Sequence, residues 1–407
     1  MWKFAGMALK NVARNRKRTL ITLGTILIGV LASMMARAMI GAAQTAIIKN
    51  VTQGLTGDFQ IHKTGYVERT DISPLDITIQ QDGEIENILL RQGALIARRI
   101  HFGGLLYPND ESSTVFKAVA IEPAKEKEVC PLIEKSIFEG RYLSDERSDE
   151  IVLSKGLATG MNVSVGDTIL IVGNDRNSSM NMKEVEIVGV FESILPGIGN
   201  KMAYLNLVTA RNFLDMAGES TELAVRAGAT LADSRKVYEK LKATATKLDV
   251  ELHFWDEVAK LFSIVIIFQE VFANLVVVIF FIMVTTAIVN TMIMAVFERV
   301  NEIGMMRAMG IKRNDIKKLF VFESLILGTI GGAAGVLIAS VIIAILNIVG
   351  ISIVPPGSSV SIDLHPAVSI TSMVYVFSFA VGMSLIAALY PASIAAKWNP
   401  IEAIRDE

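Results

Sequence analysis

A single cysteine, Cys130, stands among 407 residues. One thiol excludes an intrachain disulfide, so any folded domain must hold together by its core alone. Histidine is nearly as scarce. His62, His101, His253 and His365 are scattered along the chain, with neither metal-ligand spacing nor a partner cysteine cluster. The phosphate-cradling GxxxxGK[ST], the GxSxG elbow and HExxH are all missing, which argues against a nucleotide site of the usual kind and against common hydrolase chemistry. No directly bound cofactor or metal is expected. Charge is thin too: 20% of residues are charged against 52% hydrophobic, with a mean hydropathy of +0.47. That balance is too apolar for an ordinary soluble protein of this length and indicates an integral membrane protein.

What is present is four apolar runs, 20–42, 271–296, 319–349 and 370–390, each meeting the roughly 20 residues a bilayer-crossing helix needs. The first keeps its helical pattern to Gly54 and the second is approached from Trp255 without a breaker, so both are expected to extend as stalks, the second occupying 261–296 with its stalk. Residues 43–260 are long enough for a folded extramembrane domain. Basic residues cluster ahead of the first run (Lys3, Lys10, Arg14, Arg16, Lys17, Arg18), between the second and third (Arg299, Arg307, Lys312, Arg313, Lys317, Lys318) and in the tail (Lys397, Arg405), while the loop 350–369 has none. By the positive-inside rule, 1–19, 297–318 and 391–407 are cytoplasmic and the large domain lies outside. The domain is net acidic, so nucleic acid is not an expected partner. The "ARA" of Ala36–Ala38 resembles a cleavage site, but the apolar run before it is longer than a signal peptide requires. We expect it to be retained.

The pattern within 43–260 is α+β. "GDFQIHKTGY", "FKAVAIEP", "DTILIVGN", "EVEIVGVFES" and "DVELHFW" read as strands; "LNLVTARNFLDMAG" and "LADSRKVYEKLKATATKL" read as helices. The fold class is therefore an α-helical membrane protein with four transmembrane helices in a 1+3 arrangement, and a large α+β extracytoplasmic domain between the first and second. The ionisable residues within the runs, Arg37, Glu270 and Glu323, lie toward the run ends, where long side chains can reach the interface. "GTIGGAAGVLIAS" spaces Gly328 four from Gly332 and Gly331 four from Gly335. This is a close-packing pattern that serves either the chain's own bundle or a seam between subunits. "VPPGSS" reads as an exposed outer turn, and the polar loop Gly173–Met182 as a hairpin tip that could project as an arm. The N-terminal "MWKFAGMALKNVARNRKRT", with Trp2, Ala5, Leu9 and Val12 among basic residues, reads as an interfacial helix or a positive anchor.

The stretch joining the second and third runs, "ERVNEIGMMRAMGIKRNDIKK" (298–318), is charged and helix-patterned where a plain turn would serve. On a helix Ile303, Met306 and Gly310 share one face, and Glu298, Glu302 and Arg307 offer charge on another, as suits a docking element.

That segment resembles the E-x-G-x-x-R-A-x-G signature of the FtsX/MacB/LolE-type ABC transporter permeases. The tail "LYPASIAAKWNPIEAIRDE" is similar to the family's closing pattern at Tyr390, Pro391, Ala392, Ala395, Ala396, Pro400, Glu402, Ala403, Ile404 and Arg405. "NVARNRKRTLITLGTILIGV" and "EGRYLSDERSDEIVLSKGLATGMNVSVGDTILIVG" resemble its first span and its external domain. The resemblance implies a multi-pass protein of the bacterial inner membrane with a MacB-like periplasmic domain. It implies pairing with a second permease, identical or paralogous, and ATP use through a separate cytoplasmic ABC ATPase. Segment 297–318 would be the coupling helix, meeting the ATPase through Glu298, Arg299, Glu302, Ile303, Gly304, Met306, Arg307 and Gly310. The nearest likeness, to the lipoprotein-releasing permeases LolC and LolE, implies mechanotransmission that releases lipoproteins to a periplasmic carrier. MacB-like efflux of peptides or other amphiphiles through an adaptor, and FtsX-like control of a periplasmic hydrolase, are the alternatives. Under lipoprotein release, acyl chains would sit near Met34, Met35, Phe272 and Leu275. The carrier would contact Asn174, Arg176, Asn177, Met180 and Met182.

Overall fold

The computed structural model describes residues 6–8, 14, 16–81, 83–109, 112–192, 199–354 and 362–398. Trp2, Ala5, Leu9 and Val12 of the N-terminal segment, most of the VPPGSS turn, and Pro400, Glu402, Ala403, Ile404 and Arg405 of the closing motif lie outside them. The chain divides into two compact units. One comprises 1–44, 266–351 and 363–407, and the other 45–265 with 352–362.

Among the described residues, four helices are long and apolar enough to cross a membrane: Arg16–Val51, which passes into a π-helical turn at Thr52–Thr56, then Lys260–Glu298, Arg313–Val349 and Ile370–Lys397. The approach to the second differs from the sequence reading. A short turn, Trp255–Val258, stops at Ala259, whose ψ of 53° leaves the helical region before the long helix begins. Neither Pro nor Gly marks that break, which is why no breaker is visible in the sequence.

In the first unit the bundle core forms from residues recurring at helical spacing. Ile26, Val30 and Met34 come from the first helix, Val277, Phe281, Val284, Ile288 and Met292 from the second, and Phe320, Leu327, Val376, Ala380 and Ala387 from the others. The glycine pattern packs inside this bundle. A Cβ on Gly331 would lie 3.0 Å from Ile26 Cβ, and one on Gly335 2.8 Å from Val30 Cβ, while Gly332 faces Phe377 of the last helix. Of the ionisable residues, Arg37 and Glu323 are paired inside the bundle, while the Glu270 side chain stays about half exposed. Arg37 donates to Asn274 Oδ1 (2.7 Å) and Glu270 Oε1 (3.2 Å) and lies 5.0 Å from the Tyr375 ring centroid. Glu323 is buried 3.6 Å from Arg299. Pairing removes the need to seek water, since a buried charge is tolerated once partnered.

The second unit is built on β1 (Phe59–Lys63), β2 (Ile79–Gln80), β3 (Leu95–Asn109), β4 (Ser112–Ile121), β5 (Ile137–Gly140), β6 (Glu150–Ser154), β7 (Thr168–Asn174), β8 (Met180–Phe191), β9 (Met202–Asn206), β10 (Glu219–Ser220), β11 (Glu222–Arg226) and β12 (Val250–Phe254). Ten of these form one sheet in the order β12-β1-β11-β3-β4-β9-β6-β8-β5, with β7 bridging β3 and β8. That bridge closes a ring of six strands, β3-β4-β9-β6-β8-β7. Alternate residues of the ring, among them Ile100, Phe102, Phe116, Ile151, Ile169 and Ile187, form its core, as the period-two geometry of strands requires. A separate core of Val119, Ile121, Ile133, Tyr142, Val152 and Tyr204 packs elsewhere in the unit. The 15-residue β3 escapes sequence reading because "ARRIHFGG" interrupts alternation with two arginines and two glycines.

Candidate functional site

The helix Lys260–Glu298 ends where Arg299 (φ −111°, ψ 17°) leaves helical geometry, and a nine-residue helix, Val300–Ala308, follows. Its end is a Schellman motif: Ile311 N–H bonds to Met306 O (3.1 Å) and Gly310 N–H to Arg307 O (3.0 Å), with Gly310 at φ +91°. Only a residue free of Cβ strain adopts that φ readily, so Gly310 closes the helix before Arg313–Val349 begins.

Four charged residues of this segment, Glu298, Arg299, Glu302 and Arg307, are paired within the unit. Arg307 Nη1 donates to the carbonyl of Ala396 (2.9 Å), satisfying an orphan acceptor at the end of the last helix. Arg299 faces Glu323, while Glu298 and Glu302 pair with Arg18 and Arg14. Ile303 and Gly304 are buried and Met306 is half-buried. Of the eight sequence-predicted coupling positions, only Glu298 and Gly310 are exposed. The free strip is Asn301, Met305, Ala308 and Met309, continued by Lys312, Arg313 and Asn314. Met305 is 54% and Met309 75% exposed, large values for apolar side chains beside such a basic flank. The sequence does contain both methionines, but helical periodicity cannot tell the face bonded to the bundle from the face turned away.

The four proposed acyl-contact residues do not share a surface. Met34 is buried in the bundle core and Met35 packs against it, whereas Phe272 and Leu275 are 60% and 51% exposed. The loop 173–182 is not a free arm either. Gly173, Asn174, Met180, Asn181 and Met182 are strand residues in register, leaving a tip of Asp175–Ser179. Asp175 Oδ1 accepts from Asn177 N–H (2.8 Å) and Ser179 N–H (2.9 Å), Arg176 pairs with Glu219 (2.8 Å), and Asn177 donates to Asp215 (3.2 Å). Met180 and Met182 stay exposed on its outer face.

Three of the histidines, scattered in sequence, converge in the second unit. Antiparallel β1 and β12 place His62 and His253 with ring centroids 6.1 Å apart, and β3 adds His101 at 2.8 Å from Glu222 Oε2 on β11. Arg99 joins Glu126 through two bonds (2.5 and 3.0 Å), Glu222 (2.8 Å) and the carbonyl of Leu55 (2.7 Å). Burial would raise the Glu222 carboxyl, but His101 and Arg99 overcome it and hold it at about 2. Burial pushes the Cys130 thiol up to about 12 against the opposing pull of Arg99, and holds His62 below the ordinary histidine range. His62, Arg99, His101, Glu222 and His253 line a cavity of about 540 Å³. The signal for it, in hindsight, is a pair of strands each carrying a histidine beside a third strand with adjacent arginines; pairing order, which the sequence does not display, brings them together. No group of metal-ligating side chains with suitable geometry occurs among the described residues.

Comparison with known proteins agrees with this architecture. Residues 19–243, more than half of the chain, match the MacB-like periplasmic core domain, and residues 274–400 match the FtsX-like permease C-terminal domain. An ABC transporter permease of Methanocaldococcus jannaschii is 28% identical, over 98% of this chain and 97% of its own. The lipoprotein-releasing system transmembrane protein LolC of Neisseria meningitidis is 22% identical, over 96% and 94%. The macrolide export ATP-binding/permease protein MacB of Bradyrhizobium diazoefficiens is 23% identical over 98% of this chain, which spans 60% of the longer relative. Among solved structures, the periplasmic region of MacB from Actinobacillus actinomycetemcomitans covers 52% of this chain and 94% of its own at 16% identity, with a TM-score of 0.36. A chain with four spanning helices, an α+β domain between the first two and both family models along its length belongs to the FtsX/MacB/LolC-type ABC transporter permeases.

Proposed function

We propose that this permease works as one of a pair of membrane subunits, identical or paralogous, that a separate cytoplasmic ABC ATPase drives to move amphiphilic cargo outside or from the outer leaflet. Lipoproteins handed to a periplasmic carrier are the cargo class we favour. The carrying observation is the exposed strip Asn301, Met305 and Met309 on a short helix whose charged side chains are already bonded to its own bundle. Apolar side chains rimmed by Lys312 and Arg313 suit a groove on a soluble partner. The coupling role thus moves from the signature's charged residues to their uncommitted neighbours, and Glu302, Arg307 and Gly310 shape the element instead. Support for the cargo class is the near full-length similarity to a protein named for lipoprotein release. Efflux is the second reading, favoured by the MacB-like core domain. The basic clusters support cytoplasmic termini and an inner-membrane, N-in topology.

Affinity purification of the full chain in nanodiscs, with mass spectrometry of bound proteins and lipids, tests this. An ATPase together with acylated lipoproteins is the expected result. An ATPase with an adaptor and no lipoprotein moves the function to efflux, one with a cell-wall hydrolase moves it to signalling, and no ATPase overturns the coupling reading.

A further inference from the structure

The histidine-lined cavity in the second unit has a two-part wall. One part is apolar, made by Leu55, Ile133 and Met202 together with Val258, Leu261 and Phe262 around the Ala259 break. The other is polar and rich in acceptors. Asp71, Glu222 and Glu257 bring three carboxylates against the cations Arg99 and Lys260, and Arg99 is shared with a fourth carboxylate, Glu126, behind it. The buried part of this network sets one guanidinium between two carboxylates, with His101 as the second partner of Glu222.

The histidines meet acceptors throughout. His62 Nδ1 lies 3.1 Å from Thr221 O and its Nε2 3.3 Å from Gln60 Oε1. The nitrogen of the same Gln60 amide donates to Thr56 O (3.2 Å), so that amide cannot turn without breaking a bond. His253 stands between Glu251 (3.7 Å) and Glu257 (3.5 Å). The buried Tyr66 hydroxyl, its ring stacked on His62 at 4.8 Å, lies near the Thr221 hydroxyl without closing a hydrogen bond. A pocket of this size falls in the small-ligand range of roughly 300–1,000 Å³. Its polar end calls for a donor with positive charge and its apolar end for a hydrocarbon chain.

We propose that this cavity is a binding site for an amphiphile with a protonated-amine head, the ammonium held by the Glu222 and Glu257 carboxylates and the chain lying against Leu55, Met202 and Phe262. The site deepens the proposed amphiphile function by giving the head group a sign. It does not depend on the coupling strip, so loss of amine binding with ATPase association intact would count against the site alone.

The probe is radiolabelled dodecylamine, compared with dodecanoate of the same chain length. Both are titrated onto the full chain in phosphatidylcholine nanodiscs, with empty discs subtracted. The expected result is saturable dodecylamine binding near one per chain and no saturable dodecanoate binding. Glu257→Gln, at the exposed rim, should weaken the amine at least fivefold. Met202→Trp, which fills the apolar end, should abolish binding while slow amide exchange in the six-strand ring persists. Saturable dodecanoate binding of equal affinity, amine binding unchanged by Met202→Trp in the folded protein, or no saturable amine binding would each overturn the proposal.

Discussion

Arg307 and Met309 sit two positions apart and answer to different partners. Arg307 spends its charge on the Ala396 carbonyl, and Met309 is the more exposed of the two methionines of the strip. Arg307→Ala should therefore loosen the end of the last helix by about 1.5–3 kcal/mol, the scale of a hydrogen bond to a charged group. Met309→Asp should leave the bundle intact and weaken ATPase association at least tenfold, about 1.4 kcal/mol. Thermal inactivation of the nanodisc sample checks the first, and quantitative co-purification the second. Equal ATPase retention by Met309→Asp and the parent chain would remove the strip from the interface. The sequence makes the segment recognisable through Glu302, Gly304, Arg307 and Gly310, yet it does not say which of them face outward. The partner of Arg307 lies 89 residues along the chain, a distance over which no local pattern carries information.

At the scale of elements, the hairpin β7–β8 shows how a polar loop can be ordered without being large. Asp175 bonds two backbone N–H groups of its own tip, which makes the turn a self-contained unit. Asp175→Ala should raise amide exchange across Met180–Met182 by about tenfold and leave the ring's other strands unchanged. Hydrogen exchange read by mass spectrometry decides it, and unchanged exchange would mean that Arg176–Glu219 alone fixes the tip. Both strands are legible from their β-branched runs "DTILIVGN" and "EVEIVGVFES". Strands β6, β9 and β11 are not legible: each is only five residues long and buried along almost its whole length, so period-two alternation never shows. The glycines Gly331 and Gly335 are legible as a packing stripe, but contact with Ile26 and Val30 is what assigns that stripe to the chain's own bundle.

For the molecule as a whole, acid should be the sensitive direction. His62 is held below the ordinary histidine range, so the unfolded chain takes up its proton first as pH falls, and stability is lost from about 6.5 downward toward the lowered native value. Glu222, depressed to about 2, adds stability that is present above the ordinary carboxyl range and lost as pH falls from about 4.5 toward 2. Between pH 7.5 and 5 the His62 effect amounts to at most about 1.4 kcal/mol per pH unit. Amide exchange of β1 should accelerate over that window, and His62→Gln should flatten the dependence. A variant with the same pH slope as the parent would place the sensitivity elsewhere. The four spans, the 1+3 layout and the α+β class are legible because bilayer thickness and strand period write themselves into local hydropathy. The cavity is not, because its walls come from residues 55 to 262 and exist only once β1 and β12 have paired.

That pairing has a consequence for how the chain could be rearranged. Phe59 stands opposite Phe254 and Lys63 opposite Val250, and the next contact runs from Thr64 N–H to Asp249 O. Everything from 65 to 248 thus leaves from and returns to points one strand spacing apart, about 4.8 Å. The interposed residues are inserted between two paired strands, and their own β11 extends that pair along the other edge of β1. A different module with neighbouring ends could be grafted there without lengthening either connection.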